Sequence, residues 1–232
     1  EEGDGKDGIE YVVTQLKQSH FKADYALVGE PTSVHYVGDY FKHARRGSHT
    51  YILTLKGTQG HTAYPQNAWA ASQTIQAFFE TFLAYKSQLP KDHDASLFSI
   101  QSSTSTSNIV PRKITIGVNI RYFDPDVLSQ FTKTLRPIVS TIEELGGAKP
   151  YQSNPTKLKN HLTSAIEDTI GLRPQASCLG GTSDARHLHI IADEIIEFGL
   201  RSTYAHHINE QASIEDLMQL RSIYKKLLSN LI

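Results

Sequence analysis

Tyr25-Ala26-Leu27-Val28-Gly29-Glu30-Pro31-Thr32 is an apolar run that ends abruptly in a carboxylate and then in a proline, whose nitrogen cannot continue a hydrogen-bonded ladder. A buried strand that delivers a charged group at its C-terminal end is how open α/β sheets build their sites, so Glu30 is the first candidate functional residue. The competing reading is a strand followed by a surface Glu in an ordinary turn, and this stretch alone leaves both open. Upstream, Ile9, Val12, Val13 and Leu16 recur at helical spacing, with Asp7 placed to cap them after an acidic, Gly-rich loop. A helix and then a strand, joined by short polar links, read as part of a βαβ layer whose first strand would precede Glu1.

Downstream the pattern turns extended over 38–56, broken at Arg45-Arg46-Gly47-Ser48, with Tyr51, Leu53 and Leu55 alternating against Thr50, Ile52 and Thr54. The spacing predicts a helix over 69–89, with Ile75, Phe78, Phe79, Phe82 and Leu83 as its apolar stripe. A short strand follows over 97–103 and a long one over 113–123, the latter placing Ile114, Ile116, Val118, Ile120 and Tyr122 opposite Thr115, Asn119 and Arg121. A second helix is predicted over 126–145, with Leu128, Phe131, Leu135, Ile138 and Ile142 inward, a bend at Pro137 and a stop at Gly146-Gly147. Strand, helix, strand, strand, helix is most of a split βαβ sandwich, read as a domain inserted into the first. After Pro150 the α/β pattern resumes: a helix near 158–170, an extended 175–179, the loop Gly180-Gly181-Thr182-Ser183-Asp184, a strand over 194–198 and a closing amphipathic helix over 214–232. The predicted organisation is a first catalytic segment over 1–47, an inserted domain over 48–149 and a second catalytic segment over 150–232.

Composition removes several classes of function. The formal net charge of -1 over 232 residues gives no global basic field for nucleic acid or an anionic membrane. No apolar run is long enough to span a bilayer, and the single cysteine, Cys178, excludes an internal disulfide framework and fits a reducing compartment. The expectation is a soluble, cytoplasmic protein.

The polar clusters suggest what chemistry is available. Glu2, Glu30 and His206 offer two carboxylates and an imidazole, a hard ligand set that suits zinc, and Glu1 stands beside Glu2 as a base for metal-bound water. None of these spacings is specific by itself, and Glu-Glu pairs are common on solvated loops. Arg45, Arg46, Ser48, Asn108, Arg121, Thr182 and Ser183 form a second group, suited to a carboxylate-bearing substrate because guanidinium forks and Gly-rich backbone amides accept anions. Arg121 on the polar face of a mostly apolar strand is the most informative of them, against the alternative of a solvated sheet face. The Gly180 loop lacks both the Walker spacing and Gly-x-Ser-x-Gly. His61, in Gln59-Gly60-His61-Thr62-Ala63-Tyr64-Pro65, is a loop imidazole able to polarise a carbonyl if its domain closes over a site. His20, His35, His43, His93, His161, His187 and His189 read as structural or exposed.

The order of these clusters carries more than any one of them. Glu-Glu-Gly-Asp-Gly (1–5), Val-Gly-Glu-Pro-Thr (28–32), Gly-Asp-x-x-Lys-x-x-Arg-Arg-Gly-Ser (38–48), Gln-Gly-His-Thr-Ala-Tyr-Pro (59–65), Gly-Gly-Thr-Ser-Asp-Ala-Arg (180–186) and His-His-Ile-Asn-Glu (206–210) resemble the succinyl-diaminopimelate desuccinylases, dinuclear zinc amidohydrolases of the M20 metallopeptidase family. The resemblance runs essentially end to end. It implies an α/β open-sheet zinc-hydrolase catalytic domain, incomplete at its N-terminus, with an inserted α+β lid and dimerisation domain, and a homodimer formed through that lid. It implies two zinc ions in the complete enzyme, one of them replaceable by cobalt.

Carried over by position, Glu1 resembles the general base, Glu2 and His206 ligands of one zinc, and Glu30 a ligand of the other. His61 resembles the lid histidine that stabilises the oxyanion in the partner's site, and Arg45, Ser48, Tyr64, Asn108, Arg121, Gly181 and Thr182 resemble substrate contacts. The activity implied is release of succinate from N-succinyl-LL-2,6-diaminopimelate, in lysine and diaminopimelate biosynthesis. Two departures accompany it. Ser107 stands where the family usually has the first Asn of a pair, and the His-x-Asp motif and bridging Asp that complete the family's metal site would lie before Glu1, so a chain of this span is expected to bind zinc weakly and turn over little. The alternatives are another M20 acyl-amino-acid hydrolase, such as a deacetylase, and a non-catalytic fragment that dimerises through the lid.

Overall fold

The computed structural model describes residues 8–68, 71–181 and 183–231; Asp7, the expected helix cap, lies outside them. The described chain opens with α1 (Ile9–Gln18), β1 (Ala23–Val28), β2 (Tyr40–Lys42) and β3 (Ala44–Arg45). It continues through β4 (Gly47–Lys56), β5 (Gly60–His61), α2 (Ile75–Ser87), β6 (Asp94–Ser102), β7 (Ile109–Val110), β8 (Lys113–Tyr122), α3 (Asp126–Leu135) and β9 (Thr141–Ala148). It ends with β10 (Tyr151–Gln152), α4 (Lys157–Ile170), β11 (Gln175–Ser177), α5 (Ala185–Leu188), β12 (Ala192–Glu197) and α6 (Ile214–Leu231). The chain divides into two compact units, one running to Arg45 and resuming at Tyr151, the other being Arg46–Pro150.

In the first unit the sheet order is β1-β12-β2-β11. β1 and β12 are parallel, β2 and β11 are parallel, and β12 meets β2 antiparallel at Glu197 and Lys42. The apolar run of β1 is continuous because both of its faces are covered. Tyr25 and Leu27 face a core built from Phe41, Ile196 and Phe198 with Leu158, Leu162 and Ile166 of α4 and Ile223 and Leu227 of α6. Ala26 and Val28 face a second cluster of Tyr151, Ala185 and Ile195. The expected strand over 194–198 starts earlier, at Ala192, and α6 extends over the expected closing helix as far as the described residues reach.

Helix α4 takes its N-terminal cap from another element. Thr156 at the cap makes no capping bond with its own side chain to the helix. Instead the Glu194 carboxylate on β12 accepts from Thr156 Oγ1 at 2.9 Å, Lys157 N at 3.2 Å and Leu158 N at 2.7 Å. Burial pushes the Glu194 carboxyl up, but the donors on Leu158, Thr156 and Lys157 outweigh it and hold the group below its ordinary 4.5. Glu194→Ala is expected to lower stability by about 1–2 kcal/mol, read from urea unfolding. Because the folded group is the stronger acid, the wild-type advantage is complete above the ordinary Glu range and shrinks as pH falls below it. A difference between the two proteins that stays constant from neutral pH to acid would refute the capping role.

In the second unit an antiparallel sheet, ordered β6-β8-β4-β9, packs one face on α2 and α3. Tyr51, Leu53, Leu55, Ile114, Ile116, Val118, Ile120 and Tyr122 are all buried there with Phe78, Phe82 and Phe131, as the alternation in β4 and β8 requires. Three expectations are corrected. The helix expected over 69–89 is α2, starting at Ile75 and ending at Ser87, and its Leu83 is 59% exposed while Tyr85 is buried in its place. The strand expected over 97–103 is β6, which begins at Asp94.

The helix expected over 126–145 ends at Leu135, and Thr141–Ala148 is the strand β9 on the edge of the sheet. Pro137 lacks the N–H that the next turn would need, and β9 pairs with β4 across a bulge at Thr50/Tyr51 opposite Gly146. Ile138 and Ile142 do pack inward, but from a loop and a strand.

Candidate functional site

In the first unit the Glu30 turn is held by a dense set of backbone contacts. Thr32 Oγ1 donates to Tyr40 O at 3.0 Å and accepts from Gly199 N at 3.1 Å. Ser33 Oγ donates to Gly199 O at 2.9 Å and accepts from Gly38 N at 3.0 Å. The Asp39 carboxylate accepts the backbone N–H groups of Val34, His35 and Tyr36 at 2.9, 2.6 and 3.2 Å. With these donors answered, Glu30 leaves β1 from a fixed base. His206 sits in a turn with φ 62, a left-handed conformation that costs a non-glycine residue energy and recurs at functional sites.

The first unit also holds a buried polar cluster that the sequence reading did not single out. Glu197, at 0% exposure, accepts from Arg45 Nε at 3.1 Å on Oε1 and 2.9 Å on Oε2, and from Nη2 at 2.5 Å. The Tyr151 hydroxyl donates to the same carboxylate. Burial first, and then the Glu197 charge, hold the Tyr151 phenol far above its ordinary range. Arg45 Nη1 reaches the carbonyls of Leu179 at 3.4 Å and Gly181 at 3.1 Å. The guanidinium is therefore engaged on all its nitrogens within the unit, as a strut between β12 and the Gly180 loop rather than as an open fork.

Lys42 lies beside it, with 9% of its surface exposed. Burial, then the Arg45 charge, push its ammonium down to about 8, against the pull of Glu197, Glu30 and Cys178. The local signal that could have found this cluster is Glu197 itself, a carboxylate inside the apolar run Ile195-Ile196-Glu197-Phe198.

In the second unit, Gly60 and His61 pair with Val110 and Ile109, and Thr62 N donates to Asn108 O at 3.0 Å. That ribbon brings His61, Tyr64 and Asn108 together, with the His61 and Tyr64 rings 5.8 Å apart. His61 Nδ1 accepts from Ala63 N at 3.0 Å, so the neutral ring carries its proton on Nε2 and presents it as a donor.

On the sheet, Ser48 stands opposite Arg121 in register, and the Asn119 amide donates to Ser48 Oγ at 3.0 Å and Thr50 Oγ1 at 2.9 Å. Arg121 is half-buried, and burial and then the Arg46 charge pull its pKa down. Asp94, its neighbour across the ladder, is committed to Lys86 at 2.8 Å. Arg46 Nε is buried with no hydrogen-bond partner among the described residues. Two guanidinium groups that repel each other and lack an acidic partner among the described residues form a region of positive potential suited to a carboxylate.

Of the candidate residues, Glu30, Arg45, Gly181 and His206 belong to the first unit and Ser48, His61, Tyr64, Asn108 and Arg121 to the second. Glu1, Glu2 and Thr182 lie outside the described residues. Among the described residues no three His, Cys, Asp or Glu side chains group to hold a metal ion, so Glu30 and His206 do not by themselves complete a zinc site. No described helix is long and apolar enough to cross a membrane.

A model of peptidase family M20/M25/M40 matches residues 1–230. The chain is 32% identical over 243 residues to the succinyl-diaminopimelate desuccinylase of Nitrosomonas europaea and 32% identical over 245 residues to that of Acinetobacter baylyi. All of this chain is covered, and it spans 64% of the length of each of those relatives. A solved tripeptidase from Staphylococcus aureus superposes with TM-score 0.73 at 16% identity, over 96% of this chain and 61% of that one. The aminopeptidase PepT from Bacillus cereus gives 0.68 at 16%, over 98% and 62%, and an amidase of the hydantoinase/carbamoylase family from Burkholderia multivorans gives 0.65 at 16%, over 90% and 55%. At these identities the structural likeness carries the fold alone.

Proposed function

Because the chain belongs to peptidase family M20/M25/M40, we propose that it serves a zinc-dependent amide hydrolase that releases succinate from N-succinyl-LL-2,6-diaminopimelate. The observation that carries the substrate choice is Arg121, half-buried beside Arg46 with no acidic partner among the described residues. An acyl chain ending in its own carboxylate supplies the missing anion, and an acetyl group does not. The His61 ribbon supports the same reading: an imidazole with Nε2–H free to donate, next to Tyr64 and Asn108, suits a developing oxyanion.

In this reading Glu1 is the general base, Glu2, Glu30 and His206 are offered to zinc, and Ser48, Tyr64, Asn108, Arg121, Gly181 and Thr182 contact substrate. Arg45 acts on the substrate through the loop it grips. The protein's partner is a second copy, met through Arg46–Pro150, and its setting is the cytoplasm.

The test is release of succinate with added zinc, by the chain alone and mixed with an upstream segment carrying the His-x-Asp motif and bridging Asp. The chain alone is expected to turn over little and the mixture to release succinate. The mixture is expected to prefer the succinylated over the acetylated substrate by at least about tenfold. Equal or better turnover of the acetylated compound would make it a general M20 deacylase, and silence toward both in the mixture would leave the lid-dimer fragment as the description.

A further inference from the structure

Between the turn that follows Gly199 and the start of α6 lies a cleft of about 180 Å³, wholly within the first unit. None of its walls is a residue assigned above to zinc or to substrate. Its charged lining is one cation and one anion, Arg201 and Asp216.

Both are anchored by the backbone. Ser33 N donates to Leu200 O at 3.1 Å and Ser202 N donates to Ser33 O at 2.9 Å, which holds Arg201 in a parallel bridge with Ser33. Asp216 stands in the first turn of α6, where Ser213 Oγ accepts the N–H groups of Glu215 at 3.1 Å and Asp216 at 3.4 Å.

The two side chains meet through one bond, from Arg201 Nε to Asp216 Oδ2 at 2.7 Å. That is the only hydrogen bond the Arg201 side chain makes among the described residues, so its Nη groups keep their donors for another acceptor. Asp216 Oδ1 likewise accepts nothing among the described residues, and with 15% of the side chain exposed little water can serve it. The plain reading of the pair is a tether between the turn and α6, contributing up to about 1 kcal/mol. A tether accounts for the bond but not for the cleft beside it.

The lining selects a ligand that carries both signs, because Asp216 repels a lone anion and Arg201 a lone cation. A carboxylate matches the Nη edge of a guanidinium in a planar fork, and an ammonium matches the open carboxylate oxygen. Thr203, Tyr204 and Gln211 add polar groups to the walls, and Leu200 and Ala212 make the rest apolar. A cavity of about 150 Å³ holds a benzene ring, so roughly six to eight non-hydrogen atoms fit here.

We propose that this cleft binds a free α-amino acid with a small side chain, its carboxylate on Arg201 and its ammonium on Asp216. The site goes beyond the desuccinylase reading and does not depend on it: a chain that releases no succinate under any condition leaves it standing.

L-Alanine, acetate and methylammonium are the probes, each titrated at constant pH and ionic strength to about 50 mM, where a millimolar site is filled. Amide NMR follows Thr203, Tyr204, Gln211 and Ser213. L-Alanine is expected to move these signals together and to bind at least about tenfold more tightly than acetate or methylammonium. Asp216→Asn, checked for folding by thermal unfolding, is expected to bring L-alanine down to the affinity of acetate. No response to L-alanine overturns the site and leaves the pair as a tether. Acetate binding as tightly as L-alanine overturns it too, as does unchanged L-alanine affinity in a folded Asp216→Asn. If Asp216→Asn does not fold, the comparison of L-alanine with acetate on the unaltered chain decides alone.

Discussion

Glu197→Ala is expected to destabilise the protein by about 3–5 kcal/mol, because it strands the Arg45 guanidinium in the interior without its counter-charge. Arg45 is 5% exposed and Glu197 fully enclosed, so water cannot take over the lost bonds from Nε and Nη2, and the Tyr151 hydroxyl loses its acceptor as well. Glu197→Gln keeps the shape but not the charge and is expected to recover only part of the loss. The double replacement Arg45→Met with Glu197→Leu removes both charges together and is expected to cost clearly less than Glu197→Ala alone, since a buried pair is expensive chiefly when broken. Urea midpoints for the three variants test this. A Glu197→Ala protein within about 1 kcal/mol of wild type would mean that water reaches Arg45 and the strut does not exist. The loss also has a functional side: Arg45 is the link between β12 and the carbonyls of the Gly180 loop, so the loop is expected to loosen with it.

Gly199→Ala is expected to lower stability by about 2–3 kcal/mol and, in an active preparation, turnover by roughly a hundredfold. A Cβ there would stand 2.5 Å from Glu30 O, 3.0 Å from Glu30 C and 3.2 Å from Gly29 O. These are backbone atoms with no rotamer to change. Gly199 cannot slide aside either, because its N–H is held by Thr32 Oγ1 and its carbonyl by Ser33 Oγ. The strain therefore passes into the Glu30 turn. Gly29→Ala is the control for stability, since its Cβ would meet only Tyr224 Oη at 3.8 Å. If Gly199→Ala unfolds at the same urea concentration as Gly29→Ala, the close approach to Glu30 is wrong, whatever the activity does.

The parts of this molecule legible in its sequence are those set by neighbours along the chain. Strict alternation in β4 and β8 identified the buried faces residue by residue, because a pleated strand turns successive side chains to opposite sides. The unbroken Tyr25–Val28 run identified the strand β1, and the carboxylate at its end made Glu30 a candidate.

Helical periodicity misplaced Leu83, which is exposed on α2, and it misjudged the element at Ile138 and Ile142. Both pack into the core as the spacing required, but a three-and-four spacing of apolar residues says only that they face inward. Pro137 was the local sign that the helix stops, and it was read as a bend. Whether a chain bends or stops at a proline depends on the pairing partners open to the residues beyond it, and here β4 offered an edge for Thr141–Ala148 to pair with.

Family, strand faces and the Glu30 turn were thus determined by the sequence alone, through local period and the order of motifs. The tertiary structure alone decided that Glu197 pairs with Arg45 across 152 positions, that Glu194 caps a helix 36 positions away, that Gly199 presses on Glu30 and that Arg201 pairs with Asp216 of α6. The physical reason is common to all four. The value of a charge, a donor or a missing Cβ depends on which distant backbone arrives beside it and on whether water is shut out, and neither has a local period to betray it.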